Sequence, residues 1–296
     1  MLKKIAVALF ALMMFQGVVA AEKVAFEMNQ VTIEAKDNGV EISWFCQEPN
    51  MEYVKKFYSK PRWNVFTGEA LELHFTPHSG KAAGRIAFPY YRMLVNPSGR
   101  FITAFLTPDW SSAGVYPKVE KLEKDGWYAK WFINYAALES SFYNVPNGKP
   151  LSTHHQWRFD FKYRRSAGGK SEILSGKPFI LNIPRELLVP YRQLVLNGVK
   201  AVPGNGGKVA LAATLSNTYK TAFTGKAQWL LYSDGQAEVC KELPVSLAAA
   251  GKMDCAAEIT LPERAVKFAV ALQVIDASGK VLRLSRKLAV KNPYVE

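Results

Sequence analysis

Four stretches of the chain alternate large apolar and polar side chains with a period of two, and this constrains the fold more than any other feature. Trp127, Ala129, Trp131 and Ile133 fall on one face of an extended segment, with Tyr128, Lys130 and Phe132 on the other. Leu71, Leu73 and Phe75 alternate with Glu72 and His74, and Tyr91, Met93 and Val95 lie opposite Arg92 and Asn96. Trp157, Phe159, Phe161 and Tyr163 alternate with Arg158, Asp160, Lys162 and Arg164. Successive side chains of a strand point to opposite faces, so each stretch reads as a strand with its aromatic face on a core. If these strands are neighbours, their polar faces form one wall carrying Glu72, His74, Arg92, Asn96, Lys130, Arg158, Asp160, Lys162 and Arg164. Acid, amide and guanidinium groups side by side offer the paired donors and acceptors that hydroxyl recognition needs. A solvated sheet face with cross-strand charge pairs would look the same.

The beginning of the chain is expected to leave the mature protein. Lys3 and Lys4, an apolar run over residues 5–15 and small residues up to Ala20 and Ala21 have the layout of a secretory signal peptide over residues 1–21. The run is much shorter than the roughly 20 residues of a spanning helix. Secretion, or export to a periplasm, follows, with no stable membrane insertion. The formal charge of +13 stays strongly positive once Lys3 and Lys4 are removed. In an exported protein this points to anionic glycans or envelope polymers before nucleic acid, which is not expected as a partner. Protein partners are left open.

The rest of the chain fits an all-β protein of two β-sandwich domains, residues 22–185 and 186–296. Aromatic residues at 12% and hydrophobic residues at 49% exclude disorder. Asp37-Asn-Gly39 is a hairpin signal, and residues 47–63 form a loop rich in aromatics and lysines, either a ligand mouth or a lid over a sheet edge. Beyond residue 186 shorter strands and clear turns, among them Ser233-Asp-Gly-Gln236 and Asp276-Ala-Ser-Gly279, argue for an immunoglobulin-like sandwich. Of the three cysteines, Cys240 and Cys255 are candidates for a disulfide, leaving Cys46 as a buried thiol; three unpaired thiols are the alternative.

The aromatic strand running into Ile133-Asn-Tyr-Ala-Ala-Leu138, followed by Trp157-Arg-Phe-Asp-Phe161, resembles the carbohydrate-binding module family 9-like domains, which are related to DOMON sandwiches. The resemblance covers about two thirds of the mature chain and implies a saccharide ligand. It places a sugar-stacking aromatic at Phe66, with Trp63 just upstream, a hydroxyl-binding acid at Glu72, a polar partner at Arg92 and an amide at Asn96. Where the family has acids, this chain has Lys130 and Arg165, and residues 171–184 lack the second stacking tryptophan. These departures shift the expected ligand toward an acidic glycan. The resemblance also implies structural calcium, for which Glu69, Asp109 and Asp125 are the carboxylates on offer; no other cofactor is called for.

Catalytic signatures are missing. There is no nucleophile elbow, zinc-protease helix motif, phosphate loop or Cys-x-x-Cys pair. Glu69 and Glu72 are expected to face opposite sides of one strand, where they cannot flank a glycosidic bond. His154, His155 and Asp160 are a weak metal set. The reading is therefore a non-catalytic carbohydrate-binding protein. Two alternatives stay open: a b-type haem sandwich using Met93, His74 or Lys130, and a structural module of an envelope assembly.

Overall fold

The computed structural model describes residues 21–26, 29–60, 68–76, 91–105, 115–138, 155–166, 172–234, 236–263 and 267–292. The leader expected over residues 1–21 lies outside them up to residue 20. Among the described residues no helix is long and apolar enough to cross a membrane.

The protein is all-β. The first part of the chain runs β1 (Ala21–Phe26), β2 (Asn29–Lys36), β3 (Gly39–Gln47), helix α1 (Met51–Phe57), β4 (Ala70–Thr76), β5 (Tyr91–Val95), β6 (Phe101–Phe105), β7 (Val115–Leu122), β8 (Gly126–Asn134), β9 (Gln156–Arg165), β10 (Glu172–Ser175) and β11 (Phe179–Asn182). These strands form two antiparallel sheets, one ordered β1-β2-β3-β8-β7 and the other β10-β9-β4-β5-β6, with β11 also pairing β9. The faces chosen by the alternation meet between them. Trp44, Trp127 and Trp131 from one sheet and Phe75, Tyr91, Trp157, Phe159 and Phe161 from the other are all buried. Trp44 meets Phe161 edge to face across the gap, with ring centroids 5.3 Å apart, an arrangement the ring quadrupoles favour.

This layering corrects the expectation of a single wall. β8 is hydrogen-bonded to β3 and β7, not to β4, β5 or β9, so Lys130 leaves the sandwich on the side opposite Glu72. The alternation was right about which side chains are inward and silent about which sheet each strand joins.

The aromatic-rich stretch expected as a loop contains α1. Asn50 caps it, its side chain accepting from the Tyr53 N–H, and Met51 and Val54 insert into the core. Tyr58 is buried, with its hydroxyl donating to the Glu69 carbonyl at 3.3 Å. The described part of the stretch is thus a lid on the end of the sandwich.

After α2 (Arg185–Leu188) come β12 (Leu194–Pro203), β13 (Lys208–Asn217), β14 (Phe223–Ser233), β15 (Gln236–Leu247), β16 (Lys252–Asp254), β17 (Ala257–Thr260), β18 (Phe268–Asp276), β19 (Val281–Leu284) and β20 (Leu288–Val290). They build a second pair of sheets, β12-β13-β16 with β17 on β13, and β15-β14-β18-β19 with β20 on β18, around Trp229, Leu215, Leu272 and Val274. The Ser233/Gln236 pair closes the β14–β15 hairpin, and Asp234 there adopts a positive φ of 50°. Cys240 lies on β15 in one sheet and Cys255 follows β16 in the other; both are free thiols, as is Cys46. The disulfide candidate is therefore corrected: the two cysteines are not on neighbouring strands, and the Cys240 thiol donates to the Trp229 carbonyl at 3.2 Å.

Candidate functional site

The outer face of the β9-β4-β5 sheet carries the densest set of charged groups that the sequence assigned to a ligand. Register brings them together: His74 on β4 sits opposite Arg92 on β5 and Asp160 on β9, Glu72 sits opposite Lys162, and Ala70 opposite Arg164. Glu72 is the hub. Only 5% exposed, it accepts from Arg92 Nε at 2.7 Å and from His74 Nε2, and Arg164 Nη2 lies 3.8 Å from its second oxygen. Alongside, Arg158 grips Asp160 with two hydrogen bonds of 3.2 Å, the fork geometry in which a guanidinium matches a carboxylate.

Burial alone would push the Glu72 carboxyl up, but hydrogen bonds from His74 and Arg92, together with their charge, outweigh it and bring the pKa down to about 2. A carboxyl whose folded pKa lies below its unfolded one contributes stability above the unfolded value and loses it as pH falls through the folded value. The contribution is therefore full above about pH 5 and lost toward pH 2, a loss of about 3 kcal/mol. Urea denaturation at a series of pH values should show this acid limb in the wild type and a flatter one in Glu72→Gln. Parallel acid limbs in the two proteins would contradict it.

The other residues assigned to the site are placed differently. Asn96 is fully buried, and its side-chain oxygen accepts from the Ser98 N–H at 3.1 Å, the Ser98 hydroxyl at 2.7 Å and the Arg100 N–H at 3.1 Å. It holds the β5–β6 turn together, the ordinary work of an Asx turn, and offers no amide to a ligand. Lys130, on the opposite sheet, pairs with Glu120 at 3.5 Å. Trp63 and Phe66 lie outside the described residues.

Arg165 belongs to a second polar cluster at the lidded end of the sandwich. It holds Glu48, which is fully buried, with bonds of 2.9 and 3.2 Å. The Tyr163 hydroxyl lies 2.9 Å from Glu48 and 2.5 Å from Glu69, and the Ser166 N–H donates to Glu69 at 2.7 Å. Burial, with the carboxylates and Cys46 close by, pushes the Tyr163 hydroxyl far up, so it stays protonated. Sequence reasoning missed Glu48, because a lone acid just after a strand carries no periodic signal.

These placements bear on the expected metals and haem. Both Glu69 carboxylate oxygens face protein donors, Asp109 lies outside the described residues, and Asp125 is an exposed turn residue. Among the described residues, Glu69 and Asp125 therefore form no ligand cage between them. No group of three or more His, Cys, Asp or Glu side chains suited to a metal occurs among the described residues. His154 lies outside them, and Asp160 is gripped by Arg158. Met93 is in the core, His74 is on the outer side of that sheet and Lys130 is on the other sheet, so these three do not converge on one haem.

No family model matches the chain, and no curated protein matches it. Solved structures similar to it include Bacteroides uniformis β-glucuronidase 2 (10% identity over 86% of this chain and 27% of that one, TM-score 0.26). A glycosyl hydrolase family 2 member from Bacteroides cellulosilyticus is also similar (11%, 86% and 28%, TM-score 0.28). So is an alkylpurine DNA glycosylase of Pseudomonas fluorescens (16%, 35% and 33%, TM-score 0.28). The chain spans only about a quarter to a third of the length of these structures. Superpositions this partial carry no argument about activity, so a functional reading rests on the geometry of the site.

Proposed function

We propose that the protein is an exported, non-catalytic glycan-binding protein whose first sandwich takes an acidic saccharide on the outer face of the β9-β4-β5 sheet. The observation that carries this reading is the charge of that wall. Arg92, Arg158, Lys162 and Arg164 stand around the carboxylates Glu72 and Asp160, so fixed positive charge is in excess. Glu72 remains ionised and holds Arg92 through Nε, so the arginines of this wall are set in place where a uronate carboxylate or a sulfate would meet their excess charge. Asn96 and Lys130, committed elsewhere, play no part.

Affinity electrophoresis through gels containing uronate-bearing, sulfated or neutral polysaccharides tests the proposal. Retardation by an acidic polysaccharide is expected, weakening as salt is raised. Arg92→Ala and Arg164→Ala should each reduce the affinity about tenfold, corresponding to about 1.4 kcal/mol. A folded wild type that migrates freely through every acidic gel, or variants retarded as strongly as the wild type, would overturn it.

A further inference from the structure

One hydroxyl at the lidded end of the first sandwich stands between two carboxyl groups. Tyr163 Oη lies 2.9 Å from Glu48 Oε2 and 2.5 Å from Glu69 Oε2, and all three residues are fully buried. A phenol has one proton to donate. With both carboxyls ionised, one of the two contacts would set oxygen against oxygen with no hydrogen between them, away from the water that could offset the repulsion. Both contacts are satisfied when the pair holds one extra proton. One carboxyl then donates to the hydroxyl, and the hydroxyl donates to the other.

The surroundings decide which carboxyl carries it. Arg165 holds Glu48 with bonds of 2.9 and 3.2 Å, and the Asn50 N–H donates to Glu48 at 2.8 Å; these contacts favour the ionised form. At Glu69 the two oxygens have different roles. Oε1 accepts from the Ser166 N–H at 2.7 Å, as a carbonyl oxygen does, and Oε2 lies at 2.5 Å from Tyr163, a length that suits an acid O–H donating to oxygen. The titratable and charged groups facing the pair among the described residues are Cys46 on β3, Tyr163 and Arg165 on β9, and Tyr58 beyond α1.

Both acids are tied to the lid. Asn50, whose N–H meets the Glu48 carboxylate, is the cap of α1, and Tyr58, just past the other end of α1, donates to the Glu69 carbonyl at 3.3 Å.

We propose that this pair is a proton-held latch. Glu69 keeps its proton at neutral pH and donates it to Tyr163, which donates to Glu48. Loss of that proton as pH rises puts an unmatched negative charge beneath α1 and lifts the lid from the end of the sandwich. A carboxyl that stays protonated when folded has a folded pKa above its unfolded one. Its contribution is therefore full below the unfolded value and lost as pH rises through the folded one, the reverse of the acid limb set by Glu72.

The test uses the full-length protein. Infrared spectra of the wild type should contain the carbonyl band of a buried carboxylic acid at neutral pH and lose it as pH is raised; Glu69→Gln should lack the band and Glu72→Gln should keep it. Glutamine at 69 is a neutral acid in shape, its oxygen accepting from Ser166 and its amide donating to Tyr163. In urea at neutral pH its midpoint is expected at or above that of the wild type, with Glu48→Gln well below. Above about pH 8 the wild-type midpoint should fall while that of Glu69→Gln holds. Cys46 is fully buried beside the cluster and reports the lid. Its alkylation, followed by mass spectrometry and referred to the buried Cys255, should be about tenfold faster in the wild type than in Glu69→Gln at about pH 9. Four results would overturn the latch: no acid carbonyl band at neutral pH, a Glu69→Gln midpoint below that of Glu48→Gln, equal Cys46 labelling in the two proteins, or a midpoint that calcium raises in the wild type and not in Glu69→Gln. The last would give the pair a cation in place of the proton.

Discussion

Replacing Arg165 with Met is expected to lower the thermal midpoint of the first sandwich by about 10 °C. Glu48 is fully buried, and Arg165 is the cation that answers it, through bonds of 2.9 and 3.2 Å. The other contacts to Glu48, from the Tyr163 hydroxyl at 2.9 Å and the Asn50 N–H at 2.8 Å, are neutral donors. Glu48 is buried although the Arg165 side chain is a quarter exposed, so removing the cation leaves a carboxylate that the surroundings solvate poorly, at up to about 3–5 kcal/mol. For a unit of this size that is about 2–4 °C per kcal/mol. Met keeps the apolar stem, so the loss is one of charge and not of packing. The double variant Arg165→Met/Glu48→Gln should recover most of the midpoint, because the amide still accepts from Tyr163 without carrying charge. Calorimetry of the wild type and the two variants decides the matter. A single variant that melts with the wild type would show that Glu48 is not the buried anion the geometry makes it.

This pair also shows where reading the sequence stops. In the four alternating segments the inward residues could be named, because a two-residue period is a local property of a strand and burial follows it directly. Partnership is not local. Glu48 and Arg165 are 117 residues apart, and nothing near either one marks the other. The same limit explains Lys130: its outward direction was legible, whereas the pairing of β8 with β3, which sets it on the far wall, depends on long-range register. Asn96 failed differently. Just after a strand, an asparagine side chain serves the turn before it serves a ligand, as its bonds to Ser98 and Arg100 do here. The Glu72–Arg92 contact was reachable because β4 and β5 are adjacent in the sheet as well as consecutive in the chain. The aromatic row outside β3 and β8 was half visible, since Tyr128 and Phe132 point outward by the same alternation. Its other half, Phe45 leaning over Gly126, again needed the β3–β8 register.

Arg283→Ala should have an effect nearly as large, at the other end of the first sandwich, where it meets the second. Arg283, on β19 of the second sandwich, is 2% exposed and donates from Nη2 to the Leu138 carbonyl at 2.7 Å and from Nη1 to the Tyr191 carbonyl at 3.5 Å. Leu138 closes the turn after β8, and Tyr191 lies in the segment joining the two sandwiches, so one guanidinium bridges three parts of the chain. Apolar contact surrounds the bridge: Val281 and Leu284 pack against the first core, and the Tyr191 ring meets Tyr135 at 5.4 Å. Alanine removes two donors from buried carbonyls, at about 1–3 kcal/mol for the group left unsatisfied, and also the packing of the arginine stem. A total of about 4 kcal/mol is expected, read as weaker coupling between the sandwiches: a wild-type unfolding transition that is single in urea should separate into two. Lysine at the same position should restore less than half, because a point charge on a flexible stem cannot serve two carbonyls as a planar fork does. If Arg283→Ala unfolds as one transition at the wild-type midpoint, the junction contributes nothing and the two sandwiches are joined by chain alone.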